Sequence, residues 1–349
     1  PNWKTGQNPE QLNLPFGEFS IRAVVPTVQK WDHKARINVV YEAFRTSVPR
    51  GLTTVDIPKT LLIGDTHHGT HPIAGLLNYT VQEIFSDYLM INTPHHAHWL
   101  IAAGVRTVGW WPSPDSHQAP FGDARFSPCG DTIVFVGQTG QWHPRRNESL
   151  RGLRQSGYAL RHARTPARIA SRLYNESALS LNLTLNGDTN CRNWEVLSAG
   201  GCLLADRLQP QSGLAALFSE GEHFVAFDGD QDLCEVAGRL LRDPKRREQL
   251  SRQGYAEYWG KHSSARRVEE YWAHVDGLSD VLVRNLDYEK RAVAARSAPP
   301  VSMPVLLERV RVYEYLQEQV RVREGVRVLY LAGVEPLTVA DSADLSRLH

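Results

Sequence analysis

The sequence predicts an α/β protein of two lobes with a helical extension at its C-terminus. Two observations carry this prediction. Apolar segments of strand length alternate with amphipathic helical segments, and the alternation occurs twice, separated by residues rich in turn formers. The 349 residues are enough for two domains with separate hydrophobic cores. We place the first lobe at 1–125, the second at 126–275 and the extension at 276–349.

The first lobe begins with polar loops and short apolar runs up to about residue 55, without a clear strand. Its later segments alternate as expected for a parallel sheet covered by helices. They are the strand 59–64, a helix from 72 to about 87, the strand 88–92, a helix over 95–103 and the strand 105–111.

Residues 113–130 have turn chemistry without a period, and we place the crossing between the lobes there. The second alternation consists of strands over 131–136, 158–161, 178–185 and 202–206, helices over 147–156, 166–174 and 192–199, and three amphipathic helices between 232 and 275. In the extension, 282–296 and 305–323 have helical patterns, and 327–331 is typical of a strand. Two interpretations of the extension are equally consistent with the sequence. It is either a helix that returns to the first lobe or the start of a further domain.

Composition and charge exclude several classes of protein. The formal net charge of +1 argues against a general nucleic-acid binder, which needs a strongly positive field. The sequence contains no run of 18 apolar residues, the length that predicts a membrane span. Four scattered cysteines without a CxxC pair predict reduced thiols. Because the N-terminal residues also lack the apolar stretch of a secretion signal, we expect a cytoplasmic protein.

The segment Leu185–Gly201 joins a predicted buried strand to a helix through a loop that contains glycine. Parallel sheets bind ligands beyond the carboxyl ends of their strands, and a helix N-terminus there suits phosphate. Arg192 can neutralise a phosphate, and Glu195 can accept hydrogen bonds from ribose hydroxyls. Asp188 can meet an anomeric carbon as nucleophile or electrostatic partner. Alternatively, Asp188 and Asn190 only cap the helix, and Glu195 is a surface charge.

The order of motifs within residues 130–260 resembles the nucleotide-binding lobe of GT-B glycosyltransferases. The motifs that carry the resemblance are the run 177–206, Ser212-Gly-Leu and Gly221-Glu-His-Phe-Val. The resemblance implies the GT-B fold, in which two Rossmann-like lobes face a cleft and the second binds a nucleotide sugar. It also implies that Glu195 binds the donor ribose and that Ser212 and Gly213 lie near the donor phosphate.

The loop departs from that of the familiar retaining members, which carry two glutamates eight positions apart. Here Asp188 stands seven positions before Glu195. An Asn186-Gly-Asp188 loop followed by Glu222-His223 is more similar to the retaining β-Kdo transferases of bacterial polysaccharide assembly. That similarity implies CMP-Kdo as the donor and a loop aspartate that takes the sugar covalently. Within this loop and the segments that follow it in the chain, we assign donor binding to Asn186, Asn190, Arg192, Glu195, Ser212, Gly213, Glu222 and His223.

A glycine loop over 137–140 follows the first strand of the second lobe, where GT-B enzymes bring such a loop near the donor phosphate. Two glycines alone are a weak signal. Gln138 lies within the loop, and His143 and Arg145 follow it. We therefore predict that these three residues also contribute to donor binding.

The first lobe contains a second group of chemically active residues, Asp65-Thr-His67-His68, directly after its strand 59–64. In a GT-B protein this loop would supply the base for the acceptor hydroxyl or orient the transferred sugar. Histidine titrates in the pH range that such a base requires. We therefore predict that Asp65, His67 and His68 take part in catalysis.

The same loop has a rival interpretation as the metal site of a phosphoesterase. Binuclear metallophosphatases also need an Asn-His dipeptide and a later Gly-His-x-His, and the sequence has neither. We therefore assign no metal ligand. For His95, His96 and His98, a role as exposed or buried structural imidazoles is as consistent with the sequence as a functional one.

Together, these features predict a glycosyltransferase that uses a nucleotide sugar, CMP-linked by the resemblance above, and requires no cofactor. The acceptor would be a glycan or glycolipid, and no nucleic-acid partner is expected. A peripheral membrane location and fusion to further domains stay open. The alternatives are a metal-dependent phosphoesterase built on the histidine loops and a non-catalytic nucleotide-sugar-binding module of a larger assembly protein.

Overall fold

A computed structural model describes residues 36–42, 48–49, 51–69, 71–105, 108–112, 126, 130–141, 143–276 and 300–322. The chain divides into two compact units. The first unit comprises residues 1–110 and 292–314, and the second comprises 111–291 and 315–349. The predicted helix 282–296, the predicted strand 327–331 and most of the predicted crossing lie outside the described residues.

The first unit contains a parallel sheet with the strand order β1-β2-β3-β4. The strands are β1 (Ile37–Tyr41), β2 (Lys59–Ile63), β3 (Asp87–Met90) and β4 (Val108–Trp110). The expectation of no clear strand before residue 59 is wrong, because β1 pairs with β2 along its full length. Only Val39 and Tyr41 of β1 are buried, so this strand at the end of the order lacks the continuous apolar run of a central strand.

Two helices of the first unit pack beside the sheet: α1 (Pro72–Gln82) and α2 (Ala97–Ala102). Proline at the first position of α1 suits a helix start, because that N–H has no partner within the helix. Ile73, Leu76 and Leu77 are buried at the spacing of three and four that the sequence predicts.

The second unit contains a parallel sheet with the strand order β6-β5-β7-β8-β9. The strands are β5 (Ile133–Val136), β6 (Leu160–Ala163), β7 (Leu179–Asn182), β8 (Leu203–Asp206) and β9 (Val225–Phe227). β5, β7 and β8 are buried throughout, and most of their residues are apolar, as expected for central strands of a parallel sheet. β6 and β7 lie on opposite sides of β5, so the order of the strands reverses its direction there. The loops at such a switch point leave a crevice that can bind ligands.

Seven helices of the described residues surround this sheet: α3 (Pro144–Gln155), α4 (Ala167–Glu176), α5 (Cys191–Ser198), α6 (Leu214–Leu217), α7 (Gly229–Arg242), α8 (Pro244–Glu257) and α9 (Ser264–Val275). α3 packs with α7, and α4 packs with α5. The main core joins apolar residues of the three central strands to α3, α7 and α8. The three amphipathic helices predicted between 232 and 275 are α7, α8 and α9.

A last helix, α10 (Met303–Val322), contacts the start of α1 in the first unit. The Glu314 carboxylate accepts hydrogen bonds from the backbone N–H groups of Ile73 and Ala74, at 2.7 and 3.1 Å. A carboxylate is favourable there because the first N–H groups of a helix form its positive end. In the part of the chain that the structure describes, no helix combines the length and apolar character of a membrane span.

Candidate functional site

A buried polar network holds the junction between β7 and α5. Asn190 caps α5, because its Oδ1 accepts a hydrogen bond from the Arg192 N–H at 3.1 Å. The Arg192 side chain points inward: Nε donates to the Val136 carbonyl at 2.6 Å, and Nη1 donates to Asn182 Oδ1 at 2.8 Å. Asn182 Nδ2 in turn donates to Asn193 Oδ1 at 2.7 Å. Arg192 therefore ties the carboxyl end of β5 to the carboxyl end of β7.

The same arginine explains one glycine of the loop over 137–140. A Cβ atom at Gly137 would overlap the Arg192 guanidinium, so only glycine leaves room for this approach. The guanidinium also lies 4.6 Å from the ring centroid of Phe135, within cation–π range. Gly137 and Arg192 thus fix the position of the glycine loop relative to α5.

Arg146, one residue beyond the predicted Arg145, lies at the centre of this edge of the sheet. Its Nε donates to the Leu183 carbonyl at 2.9 Å, and its Nη1 donates to the Gln138 carbonyl at 3.3 Å. Sequence reasoning missed Arg146. The available signal was its place in the first turn of a helix directly after a loop that follows a buried strand.

Opposing charges surround Arg146. Burial lowers its pKa, and the neighbouring charge of Arg192 lowers it further, to about 10, while Asp188 and Asp206 act in the opposite direction. Arg146 is therefore still protonated at neutral pH. Two arginines and two carboxylates lie together where β5, β7 and β8 end.

Asp206 ends β8 and is fully buried. Its carboxylate accepts hydrogen bonds from the Thr184 N–H at 3.0 Å and the Thr184 hydroxyl at 2.7 Å. Arg145 Nη1 lies 3.3 Å from Asp206 Oδ2, and the Arg145 side chain is 57% exposed. Sequence reasoning missed Asp206 and Thr184, although a carboxylate that ends a wholly apolar strand is itself a signal. Asp206 holds the chain after β7 and keeps Arg145 at the surface of this edge.

The loop Asn186–Asn190 projects beyond β7 and turns at Gly187. Gly187 has φ +71°, a left-handed conformation that favours glycine. Asp188, at its tip, is only 6% exposed. The Thr189 hydroxyl donates to the Ser212 carbonyl at 2.7 Å. The structure therefore brings Ser212, which the resemblance places near the donor phosphate, beside the predicted loop.

Asn186 Nδ2 and Ser212 Oγ are among the buried polar atoms of this region that have no hydrogen-bond partner within the described residues. Buried polar groups in folded proteins are nearly always hydrogen-bonded, so such atoms require an explanation. Both can bond a polar ligand at this edge. The arrangement thus combines positive charge, a capped helix start and unused hydrogen-bonding capacity.

Glu195 lies about one turn into α5, where its Oε2 accepts a hydrogen bond from the Tyr174 hydroxyl at 2.9 Å. Tyr174 is fully buried. Burial raises the pKa of Tyr174 well above its ordinary value, and the Glu195 charge raises it further. Tyr174 therefore stays a donor and fixes one Glu195 oxygen. The partly exposed carboxylate keeps a second oxygen for another donor.

The remaining predicted donor residues fall in two places. His143 directly precedes α3, and its N–H donates to the Gly140 carbonyl at 2.9 Å. Glu222 and His223 lie in the turn between α6 and β9, where His223 Nδ1 accepts a hydrogen bond from the Ser219 N–H at 3.0 Å. The residues that lie on the loops and helix starts at the carboxyl ends of β5 and β7 are Gln138, His143, Arg145, Asn186, Asp188, Asn190 and Arg192.

In the first unit, Asp65 and His68 form a hydrogen-bonded pair directly after β2. Asp65 Oδ1 accepts from the His67 N–H at 3.0 Å, and Oδ2 contacts His68 Nδ1. Burial alone would raise the pKa of Asp65, but the His68 hydrogen bond and the charges of His67 and His68 lower it to about 2. The His68 side chain is 42% exposed. A carboxylate at Nδ1 favours the tautomer that leaves Nε2 as a base.

The same three residues can also hold a cation. One ligand atom from each of Asp65, His67 and His68 lies within 4.8 Å of the others. His67 Nε2 is 3.4 Å from Asp65 Oδ1. Two imidazoles and a carboxylate are ligands that zinc and other transition metals accept. The geometry thus supports both interpretations of the loop.

His96 joins three segments of the first unit. Its Nδ1 lies 2.7 Å from the Thr66 hydroxyl after β2, and its Nε2 lies 3.0 Å from the Tyr313 hydroxyl on α10. The Thr66 hydroxyl is also 2.6 Å from that of Thr93, after β3. Burial lowers the pKa of His95 to about 3 and that of His96 well below its ordinary value, and neighbouring imidazoles add to both effects.

We expect the first unit to lose stability as the pH falls below about 6.5. His95 and His96 stay neutral in the folded protein, whereas the same imidazoles bind protons in the unfolded chain below about pH 6.5. Each group then lowers the free energy of unfolding by about 1.4 kcal/mol per pH unit, until the pH reaches its pKa in the folded protein. Thermal unfolding of the wild type and His95→Gln between pH 7.5 and 5.5 checks this, with a shallower slope expected for the variant. The control is His71→Gln, at a side chain that is 65% exposed, and it should keep the wild-type dependence of melting temperature on pH. The prediction would be contradicted if His95→Gln showed that same dependence.

Comparison with known proteins adds independent findings. Residues 129–273 match a family model described as "Glycosyl transferase-like". A crystal structure of a glycosyltransferase from Rickettsia africae is similar over 74% of this chain and 80% of its own, with a TM-score of 0.51 and 7% sequence identity. This likeness concerns the fold alone. The comparison with curated protein sequences gives no significant match.

Two further structures match at lower scores. TarM from S. aureus, solved in a complex that contains UDP, has a TM-score of 0.47 and 7% identity, over 63% of this chain and 51% of its own. HepE from Anabaena, solved with UDP-glucose, has a TM-score of 0.49 and 11% identity, over 64% and 73%. The chain spans about half the length of the first matching structures.

Proposed function

We infer that this chain transfers a sugar from a nucleotide sugar to a glycan or glycolipid acceptor. The GT-B fold and the match of residues 129–273 to a glycosyl transferase-like family model support this function. The observation that carries this proposal is the carboxyl edge of the second sheet. There the buried Arg146 and Arg192 lie beside Asp188, in a crevice of the kind that binds ligands in parallel sheets. No bound metal is required, because arginines and a helix start can stabilise the leaving phosphate.

The donor phosphate would lie between the glycine loop and the start of α5. Arg145 is the exposed cation there, and Asp206 holds its guanidinium in place. Arg146 and Arg192 are bonded to main-chain carbonyls, so they would act through their charge and by fixing the loops. Ser212 Oγ would add a hydrogen bond to the donor, as its lack of a partner among the described residues suggests.

The finer proposal is a CMP-linked Kdo donor and retention of configuration. Asp188 would attack the anomeric carbon, the bond from that carbon to the phosphate oxygen would break, and CMP would leave. The acceptor hydroxyl would then attack the same carbon, lose its proton to a base and release Asp188 from the glycosyl ester. Two inversions give net retention. The positive charge of Arg146 lies near Asp188 and would also attract the leaving phosphate.

The base for the acceptor would be His68. Its Nδ1 contacts a carboxylate whose pKa is about 2, so the carboxylate stays charged and orients the ring. The other nitrogen, Nε2, is then free to take the proton of a sugar hydroxyl. His67 contributes its backbone N–H to the same carboxylate, which fixes Asp65.

We expect Glu195→Ala to weaken nucleotide binding about tenfold or more while the fold stays intact. A hydrogen bond from a ribose hydroxyl to a carboxylate contributes roughly 1.5–3 kcal/mol. Thermal-shift titration with CMP, UDP, GDP and ADP measures the effect, because a ligand of the native state raises the melting temperature. The matched control is Glu235→Ala, at an exposed glutamate of α7. Wild-type affinity in a folded Glu195→Ala protein, or no stabilisation of the wild type by any nucleotide, would refute the donor site.

A second candidate function, a metal-dependent phosphoesterase, has one specific observation in its favour. Asp65, His67 and His68 can offer three ligand atoms to one ion. The third possibility, a non-catalytic nucleotide-sugar-binding module, differs from the proposed enzyme in that it would leave the donor intact. Slow hydrolysis of the nucleotide sugar by the purified chain, absent from Asp188→Asn, separates the enzyme from the module.

A further inference from the structure

The positive charge of the second unit is concentrated in one stretch of chain. Residues 151–175 contain six arginines and no aspartate or glutamate. The whole chain has 39 lysines and arginines against 38 acidic residues, so the rest of it carries 33 cations against 38 carboxylates. This stretch is therefore a local basic feature on an otherwise acidic protein.

The fold arranges these arginines around one edge of the second sheet. β6 is the last strand at that end of the described sheet, and α3 and α4 precede and follow it in the chain. All six side chains are exposed, and we name them the arginine surface: Arg151, Arg154, Arg161, Arg164, Arg168 and Arg172. Five of them, Arg151, Arg154, Arg161, Arg164 and Arg172, form no ion pair with another described residue. The nearest acidic residues along the chain are Glu148 and Glu176, at its two limits.

An apolar side chain lies within the arginine surface. Ile169 is 51% exposed on α4, next to Arg168 and one turn before Arg172. The opposite face of α4 is buried through Ala170 and Tyr174. Basic side chains attract an anionic membrane, and an exposed apolar side chain beside them can enter its interface.

We propose that the arginine surface binds the anionic headgroups of a phospholipid membrane. Guanidinium groups bind phosphate through two parallel hydrogen bonds, and several act together on a charged surface. The acidic remainder of the chain is repelled by the same membrane, so binding also orients the protein. Ile169 adds contact with the acyl boundary. This inference concerns location and holds whichever sugar the protein transfers.

The test uses the full chain and vesicles of phosphatidylcholine with and without phosphatidylglycerol, separated by sedimentation. We expect binding only to the anionic vesicles, and weaker binding as salt screens the charges. The triple variant Arg161→Gln, Arg164→Gln, Arg172→Gln should bind on the order of 100-fold more weakly, since each basic residue contributes roughly a factor of five. Ile169→Ser should weaken binding to a smaller extent.

The matched control removes three exposed cations from α7 and α8: Arg239→Gln, Arg242→Gln and Lys245→Gln. It has the same net charge as the test variant and should bind vesicles nearly as the wild type does. Equal losses in the two triple variants would overturn the proposal, because only net charge would then matter. It would equally be overturned if the wild type ignored anionic vesicles, or if it bound RNA and not vesicles through the same arginines.

Discussion

Asp188→Asn should lose sugar transfer by orders of magnitude, at least on the order of 10³-fold, while nucleotide binding stays near that of the wild type. The aspartate lies at the tip of a loop fixed by Gly187 and Thr189, beside the charge of Arg146. An asparagine amide has nearly the same shape and can still accept hydrogen bonds. It cannot form a glycosyl ester with the anomeric carbon.

Transfer assays with the donor and an acceptor, together with thermal unfolding, measure this effect. Intact-mass spectrometry of the wild type with donor alone should also show a sugar adduct that Asp188→Asn lacks. The matched control is Asp243→Asn, because Asp243 caps α8 through the Arg246 N–H and asparagine caps a helix equally well. That variant should be folded and fully active.

A near wild-type rate in Asp188→Asn would show that Asp188 is only a structural residue of the loop. The donor site could then stand, since Glu195 and the arginines do not depend on a covalent intermediate. The essential base would have to be sought among Asp65, His67 and His68.

His68→Gln should lower the transfer rate by about 10²–10⁴-fold, the usual contribution of a general base. Glutamine can still donate a hydrogen bond to Asp65 but takes up no proton. Nucleotide affinity should not change, because His68 belongs to the first unit and the donor site to the second. The control is His98→Gln, at an exposed histidine whose Nδ1 bonds the His95 carbonyl at 2.6 Å. A variant as active as the wild type would exclude His68 as the base.

The same proteins separate glycosyl transfer from the phosphoesterase. We expect transfer to continue in the presence of a chelator, with His68 acting through its lone pair. If instead Asp65, His67 and His68 held a catalytic ion, the wild type would contain stoichiometric zinc, manganese or iron and His68→Gln would not. Chelation would then abolish hydrolysis of a phosphate ester, and the base assignment would be wrong.

Local pattern alone identified most elements of the fold. β5 is an apolar run, β8 is apolar up to Asp206, and β7 alternates leucine with polar residues. The helices after them repeat apolar residues every three or four positions, so strands and helices can both be recognised within short windows. The two strands that were missed, β1 and β9, are short or half-buried, and each lies at one end of its sheet. A strand with one exposed edge does not need the apolar sequence of a central strand.

The sequence by itself determined that a glycine-containing loop, a capped helix and several polar residues follow β7, because turn and cap preferences are local. Only the tertiary structure decided where the long side chains point. Arg192 bonds the carbonyl of Val136, 56 positions earlier, and Arg146 bonds that of Leu183, 37 positions later. Those partners become neighbours only when β5 and β7 pair, and no local pattern contains that pairing. For the same reason, Arg192 lies inside the junction, while Arg146 and Asp206 emerge as parts of the site.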